Sequence, residues 1–548
     1  MTENPMDKEG NTTLSVSIDG VAVSIPEGST ILEAAERAGV VLPRYCYHPG
    51  LSAPALCRMC LVEVVGAPKL VPSCVQRVQD GMVVHTASPQ ARKARRAVIE
   101  FLLFNHPLDC PICDAAGQCE LQDYAFETGQ LQTRSVEPKL VLGRDKVTRD
   151  IVYFADRCIL CTRCVRFMDE IAQDSVLQVI QRGDRGYIDT MTDELFEHPF
   201  SMNIVDVCPV GALVNEDFLF KARAWDMDKT ASICPGCSQG CNISLDTVEN
   251  RIVRAKPRPN ADVNSYWMCD HGRKVVINWG AGNRAEVPMV KQNWQLRATD
   301  WSTVLDALAE GLGSGVGPAT AVVSAGSSNE SLFVLRKLME LSGFEGGSFT
   351  VPKGEEHVLR GFPKLALRSE RVPNARGAEI LGFRQAEDPF IEPLEHGGVL
   401  FVLDCDLSDA PDDFGQSASL FVYIGTLMSP AASNADVVLP LTTFAEMEGT
   451  FTNFEGRVQR FAQALRPPGL ARPLWLSGSA VLDRLGKGPA FPSAADAFAA
   501  LAKAYADYAG LSYEKLGLRG ELATGSGVGA GSGAGSGAGS TLASEGAS

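Results

Sequence analysis

The sequence lacks the segments that would carry a chain into or across a membrane. No run of eighteen apolar residues occurs in it, whereas a membrane-spanning helix needs about 20. The first residues, Met1 to Thr12, are polar and contain no apolar core of the kind that a secretory leader has. We therefore expect the chain to stay inside the cell and to reach a membrane only through partner proteins.

Positive charge is also scarce. The chain has 50 Lys and Arg residues against 66 Asp and Glu residues, which gives a net charge of -16. A surface for nucleic acid or for anionic lipid needs an excess of positive charge. These two classes of partner are therefore not expected. With 548 residues and 45% hydrophobic content, the chain is long enough for several packed domains.

Cysteine is absent after Arg273, with the exception of Cys405, so the other fifteen of the sixteen cysteines lie in the first half of the chain. Many of them form C-x2-C pairs. In a chain without a leader this usage indicates metal ligation in a reducing compartment rather than disulfide bonds.

The most regular group is a C-x2-C-x2-C triple that a later Cys-Pro completes. Its members are Cys158, Cys161, Cys164 and Cys208. This spacing is close to the ferredoxin pattern that holds a 4Fe–4S cluster, whereas zinc sites favour paired C-x2-4-C knuckles. Three basic residues, Arg157, Arg163 and Arg166, accompany the triple. They would offset the negative charge of a four-thiolate cluster, although a surface helix is an equally simple explanation.

An N-terminal ferredoxin precedes this group. Alternating residues from Leu14 to Ile25 across Asp19-Gly20 predict a β-hairpin. A helix follows, with a Thr30/Glu33 capping box and Gly39 at its end. The next four cysteines suit a 2Fe–2S cluster in a β-grasp fold, with a zinc site as the alternative. They are Cys46, Cys57, Cys60 and Cys74.

A second group has only three cysteines. Ser88-Pro89 begins a predicted helix that runs to about Asn105, and four candidate ligands follow it. They are His106, Cys110, Cys113 and Cys119. A lone histidine at a helix end is usually only a partner of the helix dipole. The missing fourth thiol favours His106 as a ligand, and a neutral imidazole in place of a thiolate should raise the cluster's potential.

A fourth group has the form C-x2-C-x3-C, completed by a distant cysteine. Its members are Cys234, Cys237, Cys241 and Cys269. Gly236 and Gly240 would let the backbone approach a 4Fe–4S cluster closely. A zinc ribbon is the alternative.

Beyond Arg273 the pattern is α/β. We predict strands at Thr320 to Ser324, Val399 to Asp404 and Phe421 to Ile424, and a helix at Asn329 to Leu341. Cys405 is interpreted as core filling inside a strand. Two further stretches carry no predicted chemistry. They are Gly280 to Ala285, where Pro288 forbids the helix of a dinucleotide site, and the Gly/Ser/Ala tail from about Gly525 to Ser540.

In the order of these four groups the chain resembles the large iron–sulfur subunit of bacterial respiratory complex I (NADH-quinone oxidoreductase), from about Leu14 to Gln459. The resemblance implies one 2Fe–2S cluster and three 4Fe–4S clusters on the ligands named above, the last of them off the main electron path. In that family electrons come from NADH through FMN on a neighbouring subunit and leave for quinone, which drives ion pumping. It implies no catalytic residue and no FMN, NADH or quinone site on this chain, and a peripheral location on the cytoplasmic side of the inner (plasma) membrane.

The fold class that follows is multidomain, α+β and then α/β, with a truncated molybdopterin-oxidoreductase-like domain that carries its own 4Fe–4S module. The expected domains are 13–90, a β-grasp 2Fe–2S ferredoxin; 91–130, a 4Fe–4S domain with one His and three Cys ligands; 131–228, a 4Fe–4S ferredoxin-like domain; 229–285, a 4Fe–4S domain of the Mo/W bis-MGD type; 286–490, an α/β domain without molybdenum; and 491–548, a helical segment and flexible tail.

Three alternatives remain. The first is a formate dehydrogenase subunit, but His271 stands where such enzymes tend to have the Lys that links the last cluster to a pterin. Cys405 is predicted in a strand and not in a loop that could ligate molybdenum. The residues after Cys269 are too few for the several domains that enclose a bis-pterin cofactor. The second is the diaphorase subunit of an NAD-linked hydrogenase, which would usually end near the third cluster. The third is a zinc scaffold without redox activity. EPR would distinguish it from a protein with iron–sulfur clusters, because zinc sites give no EPR signal.

Overall fold

The computed structural model describes residues 13–129, 132–190, 194–315, 317–390 and 397–524. The polar start and the Gly/Ser/Ala tail from Gly525 lie outside these ranges. Among the described helices, none has the length and apolar character that a membrane crossing requires.

The chain begins with a five-stranded sheet in the order β2-β1-β5-β3-β4. Its elements are β1 (Thr13–Ile18), β2 (Val21–Pro26), α1 (Ile31–Arg37), β3 (Leu61–Val64), β4 (Val71–Pro72) and β5 (Val83–His85). The predicted hairpin is confirmed, because Ile18 pairs with Val21 and the turn residues Asp19 and Gly20 have φ of 49° and 87°. The Thr30/Glu33 capping box is also confirmed.

Two helices and a short 3-10 turn follow. They are α2 (Pro89–Asn105), the turn Cys110–Ile112 and α3 (Glu120–Thr128). The predicted bounds of α2 are confirmed, because the Ser88 side chain accepts a hydrogen bond from the amide of Ala91 and Pro89 is the first helical residue.

The next part carries the triple. Its elements are β6 (Arg144–Lys146), β7 (Ile151–Phe154), α4 (Arg163–Arg166), β8 (Leu177–Ile180), β9 (Tyr187–Thr190), α5 (Asn203–Val207) and β10 (Leu213–Asn215). Strands β10, β7 and β6 form one sheet, and β8 pairs with β9. The helix that contains Cys164 continues to Ala172 as a π-helix, Phe167–Ala172. Cys158 and Cys161 lie before it, on a loop with Leu160 and Thr162 at φ of 50° and 62°.

A three-stranded antiparallel sheet and one helix come next. They are β11 (Asp228–Ile233), β12 (Asn242–Val248), β13 (Arg251–Pro257) and α6 (Asp270–Asn278). The residues that follow α6, including Gly280 to Ala285, form no helix or strand, as predicted.

The remaining residues build an eight-stranded sheet in the order β15-β14-β23-β22-β21-β16-β17-β20, a two-stranded sheet of β18 and β19, and a three-stranded sheet in the order β24-β25-β26. The six strands from β23 to β20 are parallel, and β14–β15 is an antiparallel hairpin at one edge. The elements are β14 (Met289–Gln292), β15 (Gln295–Ala298), α7 (Trp301–Gly313), β16 (Ala319–Val323), α8 (Asn329–Leu341), β17 (Phe344–Phe349), β18 (His357–Val358), β19 (Ala366–Leu367), α9 (Ala375–Ile380), β20 (Arg384–Gln385), β21 (Val399–Leu403), β22 (Leu420–Gly425), β23 (Val437–Pro440), β24 (Gly449–Thr452), β25 (Arg457–Phe461), α10 (Leu474–Arg484), α11 (Ala494–Ala504), α12 (Tyr513–Leu516) and β26 (Glu521–Leu522).

The predicted strands of this region and the helix Asn329–Leu341 are confirmed. The placement of Cys405 inside a strand is wrong, because β21 ends at Leu403 and Asp404 has φ of 53°, which turns the chain out of the sheet. Cys405 still packs against the apolar residues on one face of the sheet.

One apolar core joins the parts of the chain that contain the last three cysteine groups with residues of the α/β half. Phe167, Met268 and Phe451 belong to it, and so does the turn that carries Leu359 and Leu365. This shared core fixes the positions of three candidate metal centres relative to each other.

Candidate metal centres

The first group lies in the loop before β3 and at the end of β4. The Cys57 thiol donates a hydrogen bond to Cys46 and lowers the pKa of Cys46 to about 6; Cys74 does the same for Cys60. The amide of Tyr45 also points at Cys57 Sγ, at 3.5 Å. The four thiols thus form two hydrogen-bonded pairs, Cys46 with Cys57 and Cys60 with Cys74.

A buried arginine holds this loop. Arg95, on α2, is 8% exposed, and its guanidinium donates to the carbonyl oxygens of Met59, Leu61 and Thr86. No local pattern indicates this role, because Arg95 is one of several basic residues in the first half of α2.

The second group surrounds the end of α2. Burial raises the pKa of Cys119 to about 11, and the negative charges of Cys113 and Cys110 contribute to this rise. His106 caps α2, and its Nδ1 is buried without a hydrogen-bond partner in the described part of the chain. Burial lowers the pKa of His106 to about 4, so its imidazole is neutral at pH 7. A neutral ring with an unused nitrogen is the form that binds a metal.

The third group encloses a small cavity. All four of its thiols line this cavity, together with Tyr153, Ile188 and Ala212. Burial raises the pKa of Cys158 to about 11 and that of Cys161 to about 12, and it raises the pKa of Cys164 further. The amide of Leu160 points at Cys158 Sγ, at 3.4 Å.

The fourth group is the most deeply buried. The amide of Cys234 donates to the carbonyl of Cys241 at 2.9 Å, and Cys269 Sγ accepts from the amide of Gly272 at 3.3 Å as the N-cap of α6. Burial raises the pKa of Cys241 well above its usual value, and the charges of the other three thiols raise it further. A Cβ at Gly272 would lie 2.9 Å from Cys234 Sγ, so a side chain there would occupy the space between the thiols.

These properties fit iron–sulfur clusters. Buried thiols with raised pKa values stay protonated on their own, and they ionise when a cation core binds them. The unused nitrogen of His106, the cavity of the third group and the glycine beside the fourth provide the ligands and the space. Within the described residues, no group of three or more His, Cys, Asp and Glu side chains is arranged to hold a single metal ion.

The three arginines of the triple are buried, so their interpretation as a surface helix is wrong. Arg157, Arg163 and Arg166 are 2%, 6% and 9% exposed. Arg157 forms an ion pair with Asp109 of the second group's loop. Arg163 donates to the carbonyl of Tyr47 at 2.8 Å, and Arg166 donates to the carbonyls of Ser52 and Cys46 beside the first group. Each arginine therefore connects the third group to another group.

Further hydrogen bonds and one ion pair also join the groups. The amide of Glu120 donates to the carbonyl of Pro209 at 3.1 Å, next to ligands of the second and third groups. The side-chain amide of Asn203 donates to the carbonyl of Met268, and Arg273 forms an ion pair with Asp206 at 2.6 Å. These contacts connect the third group to the fourth.

Gly211 gives a direct test of the contact between the second and third groups. A Cβ on this residue would collide with Cys113 Sγ. We expect Gly211→Ala to displace Cys113 and to lower the iron content by about four atoms per chain, measured by iron analysis and EPR. Gly397→Ala is the matched control, because a Cβ there meets nothing within 4 Å. Full iron content in Gly211→Ala would contradict the expectation.

Family models match most of the chain in five pieces. They are a 2Fe–2S iron-sulfur cluster binding domain at 11–89, an NADH-ubiquinone oxidoreductase-G iron-sulfur binding region at 95–134, an NADH-quinone oxidoreductase subunit 3 ferredoxin-like domain at 150–214, a molybdopterin oxidoreductase Fe4S4 domain at 227–276 and a molybdopterin oxidoreductase domain at 390–483. Their order agrees with the predicted layout, and the prediction of 2Fe–2S and 4Fe–4S modules is confirmed.

Curated relatives agree. The NADH-quinone oxidoreductase subunit designated G in Rickettsia felis is 39% identical over 333 residues, which cover 60% of this chain and 49% of the relative. The mitochondrial NADH-ubiquinone oxidoreductase 78 kDa subunit of Neurospora crassa is 37% identical over 383 residues, which cover 68% of this chain and 50% of the relative. The chain spans about half the length of the curated relatives it matches. The predicted resemblance to the large iron–sulfur subunit of complex I is confirmed.

One solved chain also matches. It comes from a structure of NAD+-reducing [NiFe]-hydrogenase in the H2-reduced state, with 28% identity, a TM-score of 0.35, and coverage of 38% of this chain and 90% of that chain.

Proposed function

We propose that this chain is the electron-transfer subunit of a proton-pumping NADH:quinone oxidoreductase, complex I. It would pass electrons from NADH and FMN on a partner subunit towards quinone. The observation that carries the proposal is the arrangement of sixteen candidate ligands in four groups that buried arginines and the side-chain amide of Asn203 join to each other. The names of the relatives support it.

The proposed ligands of each cluster follow the four groups. They are Cys46, Cys57, Cys60 and Cys74 for one 2Fe–2S cluster, and His106, Cys110, Cys113 and Cys119, then Cys158, Cys161, Cys164 and Cys208, then Cys234, Cys237, Cys241 and Cys269 for three 4Fe–4S clusters. The domain bounds 13–90, 91–130, 131–228, 229–285, 286–490 and 491–548 belong to the same proposal. So do the β-grasp fold of the first domain and a truncated α/β domain without molybdenum.

When bound, the clusters supply one-electron redox chemistry. The polypeptide holds the ligands, excludes water and sets the local charge. Arg157, Arg163 and Arg166 place buried positive charge between groups of thiolates, which would otherwise repel each other. No side chain of this chain is required as an acid, base or nucleophile.

The proposal also names the partners and the location. The partners are the other subunits of the peripheral arm, above all the subunit that binds FMN and NADH. The complex would hold the chain on the cytoplasmic side of the inner (plasma) membrane, without insertion. The enzyme activity, that of an NADH:quinone translocase, belongs to the whole assembly.

The spacing of the cysteines favours clusters over a zinc scaffold. Zinc sites favour paired C-x2-4-C knuckles, whereas the third group has a C-x2-C-x2-C triple with a later Cys-Pro, close to the ferredoxin pattern. The matching family models include a 2Fe–2S cluster binding domain and an Fe4S4 domain, which supports the same choice.

Anaerobic purification of the full chain tests the proposal. We expect a brown protein with about 14 iron atoms per chain and EPR signals of one binuclear and three tetranuclear centres after reduction. Copurification with an FMN-containing protein tests the assignment to complex I separately. A colourless protein that contains zinc would refute the cluster assignment, and a loaded chain that never copurifies with a flavoprotein would refute the assembly.

A further inference from the structure

Tyr153 lies at the cavity of the third group, although nothing in its sequence context indicated a role. It belongs to β7, is 5% exposed, and lines the same cavity as Cys158, Cys161, Cys164 and Cys208. Its hydroxyl oxygen accepts a hydrogen bond from the amide of Ile188 at 3.0 Å. This hydrogen bond fixes the position of the hydroxyl oxygen at the cavity.

The proton of this hydroxyl is left for a partner other than Ile188. A phenol has one O–H donor, and the amide of Ile188 occupies an acceptor position of the oxygen. Cys158 is the hydrogen-bonding neighbour of the hydroxyl at the cavity that both residues line.

We propose that Tyr153 is a positioning residue for electron transfer at the third group: its O–H donates to Cys158 Sγ and raises the reduction potential of the cluster there. This inference rests on the proposed cluster ligation. A hydrogen bond to a sulfur ligand is stronger when the sulfur carries more negative charge, which is the case in the reduced state. The bond therefore stabilises the reduced state more than the oxidised state.

A purely structural role for Tyr153 gives a different expectation. The ring packs in the apolar core around this group, and the oxygen satisfies the buried amide of Ile188. If these were its only roles, loss of the hydroxyl would lower stability and leave the potential of the cluster unchanged.

The test is a redox titration of Tyr153→Phe, followed by EPR on the anaerobically purified full chain. We expect the third-group signal to persist and its ratio of oxidised to reduced centres at a fixed potential to rise about threefold to tenfold, the range for one lost hydrogen bond. A tenfold change equals about 59 mV for a one-electron couple. Tyr423→Phe is the matched control, because Tyr423 is a buried tyrosine of the eight-stranded sheet whose hydroxyl donates to Leu427.

A second substitution covers the case in which Tyr153→Phe does not fold. Incorporation of 3-fluorotyrosine at position 153 keeps the ring and makes the O–H a stronger donor, so the potential should rise. An unchanged potential in either protein, with the EPR signal intact, overturns the inference. Absence of the cluster from the wild-type chain would instead overturn the proposed function.

Discussion

The His106→Cys protein is expected to keep its 4Fe–4S cluster and to show a reduction potential lower by about 100 mV or more. A thiolate adds one negative charge to the cluster that a neutral imidazole does not. Clusters with histidine ligands have potentials higher than all-cysteine clusters by hundreds of millivolts in the Rieske case. A redox titration followed by EPR measures the change.

The structure supports this ligand through its surroundings. His106 ends α2, Nδ1 has no partner in the described residues, and burial holds the pKa of the ring at about 4. The control is His357→Cys, which adds a thiol in the α/β half, where His357 lies near Glu355. An unchanged potential at the second group would remove His106 from the proposed ligands.

Replacement of Arg166 by methionine is expected to lower the free energy of unfolding by about 3–5 kcal/mol. The change leaves the carbonyl oxygens of Ser52 and Cys46 without their donor, and hydrogen bonds to a charged group contribute about 1.5–3 kcal/mol each. Methionine keeps the unbranched apolar stem of the side chain and removes the guanidinium with its charge and donors. Urea unfolding, followed through the visible absorbance of the clusters, measures the loss.

The control for this prediction is Arg149→Met. Arg149 forms an ion pair with Glu197, and its side chain is 79% exposed. Such a surface pair contributes at most about 1 kcal/mol. If Arg149→Met and Arg166→Met destabilised the protein equally, the bridging role of Arg166 would be wrong.

Features that depend on neighbours in the sequence could be predicted. The turn at Asp19-Gly20, the helix that Ser88 begins and the strand at Val399 each follow from a few adjacent residues. The grouping of the cysteines also follows from short spacings, because metal ligands have to converge.

Features that depend on packing between distant segments could not be predicted. The burial of Arg166 depends on a loop more than a hundred positions earlier, and the role of Tyr153 depends on the return of Ile188 to its side. The spacing of the triple does not show where its helix begins. Left-handed residues at 160 and 162 place Cys158 and Cys161 on a loop before that helix. No local sequence pattern indicates which carbonyl groups of distant segments will accept hydrogen bonds from a buried guanidinium.

The turn between β18 and β19 has a consequence for biosynthesis. The amide of Gly361 donates to the carbonyl of Ile171 at 2.8 Å, and a Cβ on Gly361 would collide with the carbonyl oxygen of Glu170. This turn closes over the helix after the cysteine triple, yet the ribosome makes it long after that triple. A nascent chain therefore exposes this helix until the turn between β18 and β19 has been synthesised. A chain truncated near residue 285 would have an uncovered apolar face on this helix.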